Sequence, residues 1–227
     1  MKMRIAVLFS GGKDSVRTVH HCLEKGYDVK YLVTMISRKE DSWMFHVPNI
    51  RLTELSSEAI DIPLISKETS GKKEEEVEDL KKVLEVLDVD TVACGGMFSE
   101  YQKTRFEKIC KELNLKLLAP FWHTNPEKFL KDTIDLGFDV RMIGVYAEGF
   151  DESWLGKKID KKTLEDLKEL NRKYGINLIG EGGEYESLVI DGPIFKKKIK
   201  IINSEKVWDE KTQSGYLKIK KAVLEEK

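Results

Sequence analysis

The chain has 227 residues, 41% of them hydrophobic and 35% charged, and its 39 Lys and Arg against 40 Asp and Glu leave a net charge of -1. That length suffices for one large or two small domains with a buried core. The near-neutral balance gives no electrostatic footprint for nucleic acid, and no apolar run is long enough to span a bilayer. Residues 5–9 are also too short for a secretory apolar region, so a cytoplasmic location is expected and no membrane partner.

In chain order, residues 5–9 (Ile-Ala-Val-Leu-Phe) read as a strand and 14–24 as a helix ended by Gly26. Residues 29–35 form a second strand, 50–59 a helix closed by Pro63, and 63–65 a short third strand. Residues 74–87 carry Val77, Leu80, Val83, Leu84 and Leu87 on one helical face. A fourth strand at 91–94, a helix at 100–113 and a fifth strand at 117–119 complete this half. Such alternation implies parallel strands with right-handed crossovers, whose ligands bind beyond the strands' carboxyl ends. The character changes near Asn125-Pro126: helices at 128–135 and 162–174, the latter with Leu164, Leu167, Leu170 and Tyr174 on its face, mix with strands at 140–146, 187–190, 198–202 and 216–224. The expected fold class is α/β, a parallel-sheet domain over residues 1–124 followed by a smaller α+β domain over 125–227 with an antiparallel or mixed sheet.

The densest signal is Ser10-Gly11-Gly12-Lys13-Asp14-Ser15, placed between the first strand and its helix. Gly11 and Gly12 let the backbone approach an anion, and the unsatisfied N–H groups and positive dipole end of the helix then point at it. Ser10 and Ser15 add hydroxyls, Lys13 a charge, and Asp14 can hold Mg²⁺ against the same phosphates. The spacing fits neither Gly-x-x-x-x-Gly-Lys-Ser/Thr nor Gly-x-Gly-x-x-Gly. Parallel topology should bring this turn, the segment after Met35 and the turn Gly95-Gly96-Met97 to one crevice, which makes Thr34, Gly95 and Met97 candidate nucleotide contacts. His46 could stack on or hydrogen-bond the nucleotide, or be a structural loop histidine.

The second signal is Gly180-Glu181-Gly182-Gly183-Glu184-Tyr185-Glu186. Like charges this close repel unless a cation lies between them. If the segment is extended, Glu184 and Glu186 point the same way and could share Mg²⁺, hold an ammonium ion or accept a proton; a solvated turn is the plainer alternative. Cys22, Cys94 and Cys110 have no paired spacing, against both disulfides and zinc, and Cys22 with Val19 and Leu23, like Cys110 with Phe106 and Leu113, suits core packing. His20, His21 and His123 are expected to be structural.

The residue 10–15 turn resembles the PP-loop of the ATP pyrophosphatases, which share an adenine-nucleotide α-hydrolase-like fold and cleave ATP between its α- and β-phosphates. Together with residues 181–186 it is similar to the diphthine–ammonia ligases, or diphthamide synthases. Further matches are Ser42-Trp43-Met44-Phe45-His46, Tyr101-Gln102 with Arg105 and Glu107, Cys110 with Leu113, Pro120-Phe121-Trp122, Leu155-Gly156-Lys157, Lys173-Tyr174-Gly175 and Asp191-Gly192-Pro193. Two departures are Trp43, where a smaller aromatic is expected, and Ser187, where Thr is usual.

The resemblance implies an ATP-dependent ligase that adenylates the diphthine carboxylate of the translation elongation factor and amidates it with ammonia, releasing AMP and pyrophosphate. ATP and Mg²⁺ are the implied cofactors, with Asp14 the metal ligand. Asp14, Glu181, Glu184 and Glu186 are the implied catalytic residues; Ser10, Gly11, Gly12, Lys13, Ser15, Thr34, His46, Gly95 and Met97 the ATP contacts; Tyr101, Arg105, Gly182 and Gly183 the substrate contacts. From the residues alone Arg105 could equally face out toward acidic surface; the resemblance favours the crevice. The elongation factor and ammonia are thus the expected partners, with a homodimer left open. Two other readings stand beside this one: a PP-loop enzyme acting on tRNA, which would want a basic face or a zinc module, and a non-catalytic nucleotide-binding regulator, which would leave the glutamates without a task.

Overall fold

A computed structural model describes residues 2–37, 49–70 and 73–227. By contact the chain forms two compact units, Met1–Ser10 with Asp14–Trp122, and Gly11–Lys13 with His123–Lys227.

The first unit runs β1 (Arg4–Leu8), α1 (Lys13–Glu24), β2 (Asp28–Ser37), a 3-10 turn (Ile50–Leu52), α2 (Thr53–Ile60), β3 (Leu64–Thr69), α3 (Lys73–Glu85), β4 (Thr91–Ala93), α4 (Glu100–Glu112) and β5 (Lys116–Leu118). Its five strands lie in the order β3-β2-β1-β4-β5, every pairing parallel. Ile5, Ala6 and Val7 of the central β1 are fully buried, as a strand covered on both faces requires. The expected face of α3 packs as its spacing dictates: Leu80 and Leu84 join a cluster with Ala6, Val33, Val92, Phe106 and Cys110, and Val77, Val83 and Leu87 lean on it. Each fully buried aliphatic side chain of this kind contributes about 1.5–3 kcal/mol. β3 continues four residues past the expected Ile65, through the largely exposed Ser66, Lys67 and Glu68, because an edge strand needs no apolar alternation. All three cysteines are free and buried, and burial pushes the Cys22 and Cys110 thiols up to about 11, consistent with packing. Leu23 is 38% exposed rather than packed with Cys22, since adjacent helical residues face different ways.

The second unit contains α5 (Pro126–Asp135), β6 (Asp139–Val145), a 3-10 turn (Glu152–Trp154), α6 (Lys161–Tyr174), β7 (Tyr185–Asp191), β8 (Lys197–Asp209) and β9 (Ser214–Glu226). The sheet order is β7-β6-β9-β8, antiparallel throughout. α5 starts two residues before the expected Lys128 because Asn125 caps it, accepting from the Lys128 N–H at 2.9 Å, and Pro126 occupies the first position where no N–H is needed. Asp160 caps α6 likewise, accepting from Thr163 N–H at 2.8 Å. Leu164 and Leu167 of its expected face are buried, with Leu170 and Tyr174 half-buried. β8 runs seven residues beyond the expected 202 and pairs with β9 almost end to end. Among the described residues no helix is long and apolar enough to cross a membrane.

Candidate active site

In the first unit the strand order reverses direction between β1 and β4, and in doubly wound sheets that switch point is where ligands bind, beyond the carboxyl ends. The residue 10–15 turn leaves β1 there. Ser10 N–H donates to Ser15 Oγ at 3.2 Å, and the two hydroxyl oxygens are 3.3 Å apart. Asp14 follows at the start of α1 with Oδ1 buried, and its carbonyl accepts from the Thr18 hydroxyl at 2.8 Å. The turn after β4 meets this helix start so closely that a Cβ on Gly95 would lie 2.6 Å from the Asp14 carbonyl carbon and 2.8 Å from Ser15 N. Only glycine permits that approach, and it fixes the β4 turn against the loop. Met97, two residues on, is fully buried.

Thr34 is 1% exposed and its hydroxyl donates to the Phe9 carbonyl at 2.6 Å, tying β2 to the end of β1. A hydroxyl has one hydrogen to give and also accepts, so what Thr34 retains for a nucleotide is an acceptor oxygen. Tyr101 and Arg105 lie one turn apart on α4. The guanidinium stacks on the Tyr101 ring, 3.6 Å from its centroid, and its Nη1 donates to the Tyr101 carbonyl at 3.3 Å. Tyr101 in turn packs on the α3–α4 cluster. His46 and the rest of its motif fall outside the described residues.

In the second unit, residues 11–13 run along β7. Gly11, held at φ +76°, accepts from Val189 N–H at 2.9 Å, and Lys13 N–H donates to the Ser187 hydroxyl at 3.2 Å. The Lys13 side chain is 3% exposed; its ammonium donates to the Ile179 carbonyl and sits 5.1 Å from the Tyr185 ring centre. Lys13, expected to act as a phosphate counter-charge, is thus seated on the glycine- and glutamate-rich segment.

Up to Glu184 that segment is a turn rather than an extended ribbon, and only Tyr185 and Glu186 belong to β7. Gly183 N–H donates to the Gly180 carbonyl at 3.1 Å, and the Tyr185 hydroxyl to the Leu178 carbonyl at 2.8 Å. Glu184 precedes β7, and its carboxylate folds back to accept from Asn177 N–H and Gly182 N–H, both at 2.8 Å. The expected side-by-side projection of Glu184 and Glu186 is therefore corrected: both Glu184 oxygens clamp the turn. Gly182 supplies one clamping N–H. Glu186 lies inside β7 opposite Gly144, half-buried, and Glu181 is half-buried in the turn. Among the described residues no group of three or more His, Cys, Asp or Glu could hold a metal, so the glutamates do not form an all-protein cation cage. Mg²⁺ on a nucleotide does not need one, because one or two carboxylates plus phosphate oxygens suffice. The buried Asp14 oxygen at the helix start suits that donor set.

Two residues of this region carry weight that the sequence did not assign. Ser187, noted only for standing where Thr is usual, holds the loop. Tyr146, one residue past β6, has its phenol pushed up to about 12, first by burial, then by the Glu186 and Tyr216 charges. Its ring is 41% exposed, yet its hydroxyl end rests on Gly144, where a Cβ would come within 2.6 Å of it. Strand alternation around Glu186 could have pointed to Ser187; nothing in sequence marks Tyr146.

A parallel sheet with a strand–glycine turn–helix at its switch point makes this an α/β protein of the PP-loop type. The chain matches the family model of the diphthamide synthase N-terminal domain over residues 3–117 and that of the C-terminal domain over residues 125–224. Several proteins named diphthine–ammonia ligase are similar to this chain. The one from Bos taurus is 35% identical over 99% of this chain and 94% of its own, and the one from Homo sapiens 35% identical over 90% and 85%. The Schizosaccharomyces pombe protein of that name is 33% identical over 97% of this chain but 40% of its own. A solved structure described as a predicted subunit of tRNA methyltransferase, from Methanocaldococcus jannaschii, matches over 84% of this chain and 100% of its own at 18% identity and a TM-score of 0.45. The chain belongs to the diphthamide synthase family. It is accordingly an enzyme of the ATP-using ligases that form carbon–nitrogen bonds.

Proposed function

We propose that this protein converts the carboxylate of diphthine on the translation elongation factor to its amide, using ATP and free ammonia. A carboxylate resists attack because resonance and charge protect its carbon. In the proposed first half, a carboxylate oxygen attacks the α-phosphorus, the α–β bridge bond breaks and pyrophosphate leaves. In the second half ammonia attacks the acyl carbon, the carbon–oxygen bond to AMP breaks, and the nitrogen sheds a proton.

In this reading the residue 10–15 loop, through its hydroxyls and the N–H groups other than those of Ser10 and Lys13, holds the β- and γ-phosphates and stabilises the charge on departing pyrophosphate. Asp14 holds Mg²⁺, which supplies charge neutralisation at those phosphates. Glu186 is the base for the ammonia step and Glu181 its companion for positioning ammonium, while Glu184 is a positioning residue that shapes the turn. Tyr101 and Arg105 bind the substrate carboxylate. The observation that carries the reading is the hydrogen-bonded seat of residues 11–13 on Ser187 and Val189, which lie one and three residues beyond Glu186 in β7. The test is turnover of diphthine-bearing elongation factor with ATP and ammonium. AMP and pyrophosphate are expected in step with amide; ADP and orthophosphate would rule the mechanism out.

A further inference from the structure

Outside the loop and the glutamate turn, the second unit's sheet forks. β9 pairs with β6 only through Gly144 with Tyr216 and Val145 with Gly215. Farther along β6, residues 156–159 run beside it instead: Gly156 N–H donates to the Met142 carbonyl at 2.8 Å, Met142 N–H to the Lys157 carbonyl at 3.0 Å, and Ile159 N–H to the Val140 carbonyl at 2.8 Å. The β8–β9 hairpin therefore leaves the sheet. Its register slips at Ile202 in one strand and at Lys220 in the other, and such bulges bend and twist a ribbon. The fork opens a cleft of about 810 Å³ with an aliphatic floor that includes Ile199, Ile201 and Leu217.

Four cations line this cleft: Arg141, Lys198, Lys200 and Lys206. Lys198 and Lys200 share one carboxylate, Glu225, each at 2.6 Å. Arg141 pairs with Asp139 at 2.6 Å, and the Lys206 ammonium donates to the neutral Glu152 carbonyl at 2.9 Å. Two carboxylates against four cations leave a net positive cleft on a chain whose overall charge is -1. No lining residue is aromatic, whereas single-stranded nucleic acid is held by stacking its bases on aromatic rings. Aliphatic floor and cationic rim together match a polypeptide carrying both acidic and aliphatic side chains.

We infer that this cleft is the docking groove for an acidic, aliphatic-bearing segment of the protein substrate. The inference rests on the proposed amidation of a protein. Rim charges of this kind act mainly on encounter and on salt dependence. Hence Lys200→Glu with Lys206→Glu should raise the KM for diphthine-bearing elongation factor about 10-fold, with kcat and the KM values for ATP and ammonium within about twofold of wild type. Lys200→Arg with Lys206→Arg should restore the wild-type value, which mere structural damage would not predict. If the double Glu variant does not fold, Lys206→Gln replaces it, with an expected rise of about threefold.

An unchanged protein-substrate KM in a folded variant removes the groove while leaving the amidation reading intact. Should wild type amidate no elongation factor, the amidation reading fails and a labelled peptide of alternating Glu and Leu decides on the groove. Binding to wild type and at least 10-fold weaker binding to the double Glu variant sustains it; equal binding to both discards it. Displacement of that peptide by a 12-nucleotide RNA at lower concentration than by unlabelled peptide would also discard it, in favour of a nucleic-acid site.

Discussion

The backbone N–H of Lys13 donates to the hydroxyl of Ser187, 174 residues away in the chain, across 3.2 Å. Both groups are buried. The first turn of α1 leaves four N–H groups without helical partners, and this bond consumes one that would otherwise face an anion. Ser187→Ala removes this acceptor, and one hydrogen bond contributes about 0.5–1.5 kcal/mol net. Urea unfolding of Ser187→Ala should show a loss in that range, with a raised KM for ATP. Ser187→Thr keeps the hydroxyl and should stay close to wild type in both measurements. A Thr variant as damaged as the Ala variant would mean that packing, not the bond, is what matters.

Gly95 and Gly96 make a matched pair for testing the loop's rigidity. A methyl on Gly95 meets the backbone of Asp14 and Ser15 at 2.6–2.8 Å, whereas one on Gly96 finds only the end of Gln102 at 3.9 Å. Backbone cannot step aside as a flexible side chain does, so Gly95→Ala must displace the helix start or the β4 turn. Displacements of about 1 Å in a positioned site cost on the order of 10²-fold in rate. Pyrophosphate release by Gly95→Ala should fall by about that factor, and Gly96→Ala should remain within about threefold. Comparable rates for the two variants would show that the close approach has no catalytic weight.

Much of this architecture was legible because the relevant residues obey a local rule. Leu80 and Leu84 repeat at helical spacing, Ile5–Ala6–Val7 is uninterruptedly apolar as a two-sided strand must be, and Gly11-Gly12 between them and a helix announces an anion loop. What was illegible lacks such a rule. Asn203, Ser204, Glu205 and Lys206 of β8 are all exposed, so a ribbon standing clear of the sheet shows no alternation, and the strand is visible only through its pairing with β9. The clamp by Glu184 was hidden for another reason. An acidic residue in a glycine turn looks the same in sequence whether its carboxylate faces a substrate or folds back on two N–H groups. Thr34 differs again: its hydroxyl lies at the right strand end for a ligand, but its hydrogen goes to the Phe9 carbonyl.

The cationic cleft carries its own pH signature. Lys198 and Lys200, hydrogen-bonded to Glu225, hold its carboxyl down at about 2, against an ordinary 4.5. A group with a lower pKa folded than unfolded contributes stability that is complete above the unfolded value and is lost as pH falls through the folded one. The window here is therefore about pH 4.5 down to about 2. The melting temperature of wild type should exceed that of Glu225→Gln at pH 6, and the difference should vanish near pH 2. Because these side chains are exposed, 1 M salt should shrink the pH 6 difference as well. A gap that persists at pH 2 would assign the effect to lost packing of the Glu225 stem.

The two glutamates that frame Tyr185 are expected to fail in different ways. Glu184 accepts from two backbone N–H groups and is a structural clamp in this geometry. Glu184→Ala takes the acceptor from both donors, and because Gly182 is exposed and its N–H can turn to water, the cost in unfolding should be about 0.5–1.5 kcal/mol, with all half-reactions slowed together as the turn loosens. Glu184→Gln keeps one acceptor and should recover most of the stability. Glu186→Gln keeps the size of the side chain and one acceptor oxygen at its place in β7, so the variant should fold, and its urea unfolding is measured beside its activity. If Glu186 takes the proton from the attacking nitrogen, that variant still exchanges labelled pyrophosphate into ATP in the presence of the diphthine-bearing protein. Its amide formation should fall about 10²–10⁴-fold, the usual loss on removing a general base. Raising the pH increases the neutral fraction of ammonia and should not rescue it, because the proton is shed after the nitrogen attacks. Loss of exchange and amidation in equal measure would instead put Glu186 at the phosphates, and wild-type behaviour in both would return the base to Glu181.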